Sequence, residues 1–360
     1  MKQIIKRHII LLFFMICSLP AWNANHPSHV GNEEKLDVKE IIFDHIGDSY
    51  EWHITSCGNH HISIPLPVIL YSQESGWHIF LSSRLAHGQE YENFFIAEGG
   101  ESDGKIVERT SDGNIKRPLD FSLTKIAAGI IINSLLLVVI VLYVSRWYKR
   151  KKVSDKAPKG FVGIMEMFIM MVNDDIIKPS IGKDYWKYSP YLLTAFFFIF
   201  LSNIMGLLPV FPGGANVTGN IAITLFLALC TFVAVNIFGT REYWREILWP
   251  DVPVWMKAPI PLMPVIEIFG LFTKPFALTV RLLANIMAGH SVILALCCII
   301  FITHSMGPLL NGSMTLVAVL FSIFMNCLEL LVAFIQAYVF TMLSAVFIGM
   351  SRVEPHKHKE

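Results

Sequence analysis

The C-terminal part of the chain carries ionisable and amide side chains inside two long apolar stretches, and these residues are equipped for proton chemistry. In the first stretch Glu267, Lys274 and Arg281 recur at intervals of seven residues. At 100° per residue, two such intervals keep all three side chains within about 40° of one helix face. Asn285 follows Arg281 by four residues and shares that face, whereas His290 points to the opposite side.

Arg281 is the member of this set that most needs an explanation. It lies roughly twenty residues into its apolar stretch, and no formal charge follows it until Glu329. A guanidinium near the middle of a bilayer costs at least ~2.5–3.5 kcal/mol, and it stays protonated. Such a cost is tolerated where the side chain faces a cavity or a partner, so we expect Arg281 to face one of these.

The second stretch adds Glu329 and, seven residues later on the same side, Gln336. A permanent cation near the titratable groups His290 and Glu329 suits a proton relay. A carboxylic acid on a partner would ionise beside Arg281, because an opposite charge within ~4–6 Å lowers the pKa of the acid. In hydrocarbon the same group would take up a proton again, because desolvation raises its pKa. The pattern therefore predicts proton exchange with a moving partner.

Structural roles are the alternative for the other members of the set. Glu267 and Lys274 lie near a helix end, where long side chains reach the interface. His290 is also consistent with a hydrogen-bonded interior histidine. Asn285 and Gln336 are also consistent with hydrogen bonds between helices.

The composition indicates a membrane protein. Of 360 residues, 54% are hydrophobic and only 16% are charged, whereas soluble domains carry about 25% charged residues. The net charge of +1 gives no basic field for nucleic acid. Six cysteines without CxxC spacing indicate neither a disulfide framework nor a zinc ribbon.

Uncharged stretches predict an all-α polytopic membrane protein with five spanning helices. The predicted spans are 126–145, 190–210, 217–239, 262–303 and 314–350. The last two exceed a perpendicular span, so they tilt, kink or extend beyond the bilayer. Lys and Arg follow the first, third and fifth spans, whereas loops 209–216 and 304–313 carry neither. This asymmetry predicts an external N-terminus and a cytoplasmic C-terminus.

The N-terminal third is predicted to be exported. Residues 1–24 have a basic start, an apolar core too short to span a bilayer, and small residues at the end, as in a signal peptide; an uncleaved first helix is the alternative. Segment 25–122 is polar, and its short alternating runs predict some β-structure. We expect 102–117 to be a linker. Cys57, His60 and His61 fit exposed polar sequence better than a metal site.

The predicted organisation follows from these boundaries. It comprises the signal peptide 1–24, an exported, periplasmic extension 25–122, a first spanning helix with its basic stop 123–152, a cytoplasmic amphipathic helix and loop 153–187, the second and third spanning helices 188–240, a cytoplasmic loop 241–258, a tilted helix pair forming the proton path 259–353, and a cytoplasmic tail 354–360.

Three motifs resemble one known family. They are LFTKPFALTVRLLANIMAGH at 271–290, FIQAYVF at 334–340 and LSNIMGLLP at 201–209. Together with the predicted surface helix that contains Glu166, they resemble subunit a of F-type ATP synthases over about 160–353. By this resemblance, Arg281 corresponds to the essential arginine of the family, and Gln336 and Asn285 correspond to the polar residues near that arginine. Glu329 and His290 correspond to the acid and the imidazole of the outer half-channel. Glu267 and Lys274 correspond to the acid and the lysine of the fourth helix.

The resemblance implies a non-catalytic stator subunit of a bacterial inner-membrane ATP synthase. Its partners would be the ring of c subunits, the b-subunit stalk and the rest of the complex. Protons would use two aqueous half-channels, and Arg281 would release the proton from each returning ring carboxylate and block a direct leak. The chain has no P-loop, and no cofactor or metal is expected. The long N-terminal extension departs from the minimal family pattern.

Two other classes of protein are alternatives. A stand-alone secondary transporter would show inverted repeats or paired broken helices, and the sequence shows no such symmetry. A membrane metalloenzyme would use His290, His304 and Glu329, but the sequence contains no HExxH motif. The sequence leaves open whether the transported ion is H⁺ or Na⁺.

Overall fold

A computed structural model describes residues 47–57, 60–85, 88–97, 102, 104–110, 114–150, 157–208, 211–248, 262–304 and 307–352. The predicted signal peptide, the predicted tail 354–360 and residues 249–258 of the predicted loop 241–258 lie outside these residues. The strands are β1 Glu51–Cys57, β2 His60–Pro65, β3 Pro67–Ser72, β4 Gly76–Leu81, β5 Phe94–Ile96, β6 Ile106–Arg109, β7 Ile115–Lys116 and β8 Leu119–Asp120. The α-helices are α1 Lys125–Lys149, α2 Phe161–Met170, α3 Lys178–Ile181, α4 Tyr185–Leu207, α5 Ile221–Ile237, α6 Arg241–Leu248, α7 Leu262–His304 and α8 Pro308–Met350.

The described part of the chain is mostly helical, as predicted, and it has four helices long and apolar enough to span a membrane. They are Lys125–Lys149, Phe161–Leu207, Val265–Thr303 and Pro308–Met350. Helix α5 is also apolar but has only 17 residues. The protein is therefore a multi-pass membrane protein, and the count of five crossings stays a prediction.

The chain divides into two compact units, and the first comprises 1–132, 206–215 and 291–324. Its described β-structure consists of a β1–β2 hairpin and two three-stranded antiparallel sheets, β4–β3–β8 and β5–β6–β7. Alternate residues Val68, Leu70 and Phe80 join Phe94 and Ile106 in one core. The described part of the extension thus contains β-structure.

The prediction of a linker at 102–117 is wrong for the described residues. Strand β6 pairs with both β5 and β7, and Ile106 and Val107 are buried. The charged residues around them suggested a solvated segment. Two consecutive aliphatic residues are nevertheless enough to bring this strand into the core.

The second unit comprises 133–205, 216–290 and 325–360. Phe168 of α2, Phe196 and Phe200 of α4 and Phe334 of α8 form an aromatic cluster, with ring centroids 5.6–6.3 Å apart. Aromatic pairs at such distances add to the stabilisation that comes from burial. The cluster joins three helices of this unit around one apolar core.

A helix lies where the amphipathic surface helix was predicted. Its exposed side is also apolar over the first half, with Phe161, Ile164, Met167 and Met170 exposed, so its amphipathic character and surface position stay predictions. Helix α2 continues through a π-helical segment, Met171–Ile177, into α3, and one side of this continuous helix is buried. The buried side comprises Val162, Met165, Val172, Ile176, Ile177 and Ile181. Gly182 ends the helix with a φ of +76°, a backbone conformation that favours glycine.

The C-terminal end of α8 is anchored within the second unit. The Thr240 amide donates to the Ser351 carbonyl at 2.9 Å, and the Arg352 guanidinium donates to the Tyr188 hydroxyl through Nε at 2.8 Å. Gly349 packs directly against the backbone of Ser180, where a Cβ atom would overlap the Ser180 carbonyl. A glycine is therefore required for this close approach.

We predict opposite effects of alanine at two helical glycines. Gly349→Ala forces α8 away from Ser180, and overpacking of this kind costs ~1–3 kcal/mol. Gly270→Ala meets open space and gains roughly 0.5–1 kcal/mol of helix propensity. Gly349→Ala should lower the thermal unfolding midpoint of the purified protein, whereas Gly270→Ala should keep or raise it. Equal midpoints for the two variants would contradict this packing.

Candidate functional site

Arg281 lies near the middle of α7, a helix of 43 residues. The buried side of α7 runs through Leu271, Leu278, Leu282 and Ile286, and Arg281 lies off this stripe with its side chain exposed on the surface of the chain. Arg281 forms no ion pair or hydrogen bond with any of the residues that the structure describes. The guanidinium is therefore available to a group outside the described chain.

Three neighbours of Arg281 on its helix face have small side chains. Ala277, Ala284 and Ala288 precede or follow Arg281 by four, three and seven residues, and all three are exposed. Positions three, four and seven residues apart share one helix face. Small side chains let a second helix approach closely in a membrane, so this face suits an interhelical contact.

His290 and Glu329 come together on neighbouring helices. Nδ1 of His290 lies 3.2 Å from Oε1 of Glu329, and the two side chains are 18% and 8% exposed. The second carboxyl oxygen, Oε2, is buried and has no hydrogen-bond partner among the described residues. The pair can therefore share a proton, and Oε2 remains an acceptor without a partner among the described residues.

Gly289 makes the approach of the carboxyl group possible. A Cβ atom at this position would lie 2.9 Å from Oε1 and 3.0 Å from Cδ of Glu329. Distances this short are below ordinary van der Waals contact. The glycine preceding His290 thus opens the space that the Glu329 side chain occupies.

Gln336 is buried on α8, and its side chain makes no hydrogen bond to the described residues. One helical turn before it, the Ala333 carbonyl accepts a hydrogen bond of 3.3 Å from Nδ2 of Asn203. The Thr218 hydroxyl donates to Oδ1 of the same Asn203 at 2.6 Å. This network ties α8 to α4 close to Gln336.

Lys274 lines a small cavity in the second unit. Its Nζ lies 5.4 Å from the centre of the Phe347 ring, and the cavity of about 20 Å³ is large enough for one water molecule. Pro275 also lines it and lacks an N–H, so the Leu271 carbonyl has no helical partner there. A cation and a backbone acceptor therefore lie close to this cavity, whose own lining surface is apolar.

Sequence reasoning missed Asn236, which lines the same cavity. Its Nδ2 donates to the Phe232 carbonyl at 2.8 Å, while its buried Oδ1 has no partner among the described residues. An amide near the end of an otherwise apolar span was the available signal. The sequence did not indicate a role for Asn236, because its position on the same cavity as Lys274 depends on how α5 packs in the fold.

Glu267 and Asn285 are both exposed on the surface of the chain. Burial, with a smaller contribution from the negative charge of Glu267, raises the pKa of the Tyr243 phenol in α6. Glu267 therefore lies close enough to α6 to act electrostatically on it. Neither Glu267 nor Asn285 forms an ion pair with the residues that the structure describes.

Five of the seven predicted residues form three groups, and Gln336 and Glu267 lie apart from them. Arg281 and Asn285 share an exposed face, His290 and Glu329 form a contacting pair, and Lys274 borders a cavity. Among the described residues, no three His, Cys, Asp or Glu side chains come together as a metal site. The side chain of His304, which a metal centre would need, lies outside the described residues.

Comparison with known proteins gives two family matches. Residues 131–349 match the family described as ATP synthase A chain. Residues 41–121 match a second family, described as a domain of unknown function (DUF8433). The extension therefore has a recognisable sequence pattern of its own.

Several curated relatives carry the name ATP synthase subunit a. The chain is 42% identical over 248 residues to "ATP synthase subunit a 2" of Chlorobaculum tepidum, and this aligned region covers 66% of this chain and 66% of the relative. It is 39% identical over 293 residues to the Chlorobium phaeobacteroides (strain BS1) protein, covering 74% of this chain and 81% of the relative. The Myxococcus xanthus protein is 41% identical, with 67% and 77% covered.

A double-mutant cycle tests the contact between Gly289 and Glu329. Gly289→Ala should lower the thermal unfolding midpoint of the purified protein because the new methyl group displaces the Glu329 carboxyl group. In a Glu329→Ala background the same substitution meets no carboxyl group, so it should be neutral or slightly stabilising. An equal drop in both backgrounds would show that the two residues do not touch.

Proposed function

The chain belongs to the ATP synthase A chain family, and from that premise we propose that it conducts protons past the rotating c ring by means of Arg281. The family places the chain in the membrane sector of an ATP synthase complex. In the proposed arrangement five helices cross the bacterial inner membrane, with the exported extension outside and the C-terminus in the cytoplasm. The ring of c subunits faces α7 and α8, and a b-subunit stalk holds the chain stationary.

The position of Arg281 is the observation that carries this proposal. A permanent cation in the middle of a membrane-spanning helix is unstable unless an anion or water reaches it. Within the described chain Arg281 has no ion-pair partner, and its side chain is exposed beside three alanines. A carboxylate on a closely packed neighbouring helix satisfies both the charge and the shape of this face.

The chemistry at Arg281 follows from electrostatics. A ring carboxylic acid that reaches the guanidinium loses its proton, because an opposite charge within ~4–6 Å stabilises the carboxylate. Away from Arg281, in hydrocarbon, the carboxylate takes up a proton again. The same positive charge repels a proton that would pass straight from one half-channel to the other, so proton flow requires rotation of the ring.

His290 and Glu329 supply protons on the outer side of Arg281. Their contact at 3.2 Å allows a proton to pass between an imidazole and a carboxyl group, both of which change charge in an accessible pH range. Gln336 lies two helical turns beyond Glu329 on α8, in the direction of the cytoplasm. Asn285 lies between Arg281 and His290 on α7.

Lys274 and Glu267 belong to the cytoplasmic half-channel in this proposal. Lys274 and Asn236 line the same small cavity on this side, and the unpartnered Oδ1 of Asn236 is an acceptor on the proposed path. Glu267 lies two helical turns closer to the cytoplasm on α7. Its exposed carboxylate attracts protons as they leave.

Arg281→Ala should abolish ATP-driven proton pumping in inverted membrane vesicles that contain the assembled complex. Without the guanidinium no opposite charge ionises the ring carboxylic acid, so the ring carries its proton past the site. The measurement is quenching of a pH-sensitive dye after addition of ATP. Arg245→Ala is the matched control, because Arg245 is exposed and pairs with Glu242 within α6; it should pump normally.

Two results for Arg281→Ala are decisive. Loss of pumping with the ring still co-purifying supports the proposed role. Normal pumping by an assembled Arg281→Ala complex would contradict it.

Exchanging the residues of the outer pair should restore activity that the single exchanges lose. His290→Glu places two carboxyl groups in contact, so one of them holds its proton too tightly, and Glu329→His places two imidazoles in contact, so one of them loses its proton too readily, because like charges shift the pKa values of a pair apart. The double variant keeps one group of each type, so its ATP-driven pumping should exceed that of both single variants. If the double variant pumps no better than the better of the two single variants, the two residues do not act as a pair.

A further inference from the structure

The β4–β3–β8 sheet has one face in the core and one face exposed. Strand β4 alternates strictly: Phe80 is buried, whereas Trp77, Ile79 and Leu81 are 62%, 72% and 50% exposed. On the other side of β3, Leu119 of β8 and the adjacent Phe121 are similarly exposed. Alternation normally places polar residues on the outer face, and here that face is apolar.

The exposed residues form one continuous surface. Tyr71 of β3 is paired with Trp77 on one side and with Leu119 on the other. The ring of Trp77 lies 5.1 Å from that of Tyr71 and 5.8 Å from that of Phe121. We call the surface formed by Ile69, Tyr71, Trp77, Ile79, Leu81, Leu119 and Phe121 the apolar sheet face. Surfaces of this kind mark contacts with a protein or a membrane.

Hydrogen bonds join the start of α1 to Asp48 and Ser49, which precede β1, and join the residue after β8 to strand β3. The Lys125 amide donates to the Ser49 carbonyl at 2.8 Å, and the Ile126 amide donates to Oδ1 of Asp48 at 3.1 Å. The Phe121 amide donates to the Ile69 carbonyl at 2.9 Å. The sheet therefore meets the membrane helix without a flexible linker.

The length of α1 places this junction at the membrane surface. Residues 126–145 carry no charge, and twenty helical residues extend about 30 Å, which equals the thickness of the hydrocarbon core. Lys125 therefore lies at the edge of that core. Phe121 precedes it by four residues, a distance of at most ~14 Å along the chain. Strand β8 thus lies next to the head groups.

We propose that the apolar sheet face rests on the membrane, with its aromatic and aliphatic side chains inserted at the boundary between head groups and acyl chains. Trp and Tyr are the residues enriched at this boundary. Lys116 and Arg117, both exposed just before β8, suit anionic head groups. The extension then acts as a platform that braces the outer end of α1 against the bilayer.

Photo-crosslinking in the complete, membrane-embedded complex tests this proposal. A benzoylphenylalanine residue replaces Ile79 or, in a second variant, Phe121, and both positions lie on the apolar sheet face. The same residue replaces the exposed Gln89 as the control, because Gln89 lies in a polar loop of the same unit. After irradiation, mass spectrometry identifies what is attached to each position.

The proposal predicts lipid adducts at positions 79 and 121 that are at least tenfold more abundant than at position 89. Attachment of another polypeptide at 79 and 121 would overturn it, and would identify the face as a protein-docking surface. Lipid adducts no more abundant at 79 and 121 than at 89 would also overturn it. The result does not depend on the role of Arg281, because it is read without proton pumping.

Discussion

A permanent positive charge inside a membrane-spanning helix is the constraint on which the rest of this structure depends. Arg281 cannot become neutral, so something outside α7 has to stabilise it. Among the described residues no carboxylate does so, and the side chain is exposed among alanines. In the proposed function a ring carboxylate stabilises this charge, and the carboxylate ionises only where it meets Arg281.

Contacts in the surrounding fold fix the positions of the helices that carry the candidate site. Asn203 joins α4 to α8 through the Ala333 carbonyl, and Arg352 and Thr240 anchor the end of α8. Gly289 leaves space for the Glu329 carboxyl group beside His290. Most of these contacts use small or amide side chains, which pack closely and satisfy polar groups where water is scarce.

Much of the fold and of the candidate site could be predicted from the sequence. The uncharged stretches predicted the long helices, and the spacing from Arg281 predicted that His290 would face away from it. The contact between His290 and Glu329 joins residues 39 positions apart, so only the family resemblance indicated it. Local sequence also could not predict a role for Asn236, because that role depends on how α5 packs against α7. Strand β6 was missed because the charged residues around Ile106 and Val107 are typical of a solvated segment.

The most direct test of the central claim is the distance from the Arg281 guanidinium to the nearest ring carboxylate in an electron cryo-microscopy structure of the complete complex. The account predicts that one ring carboxylate lies within ~6 Å of the guanidinium, directly or through one water molecule, because only such proximity lowers its pKa enough to release a proton. A structure in which lipid separates Arg281 from every ring carboxylate would contradict it.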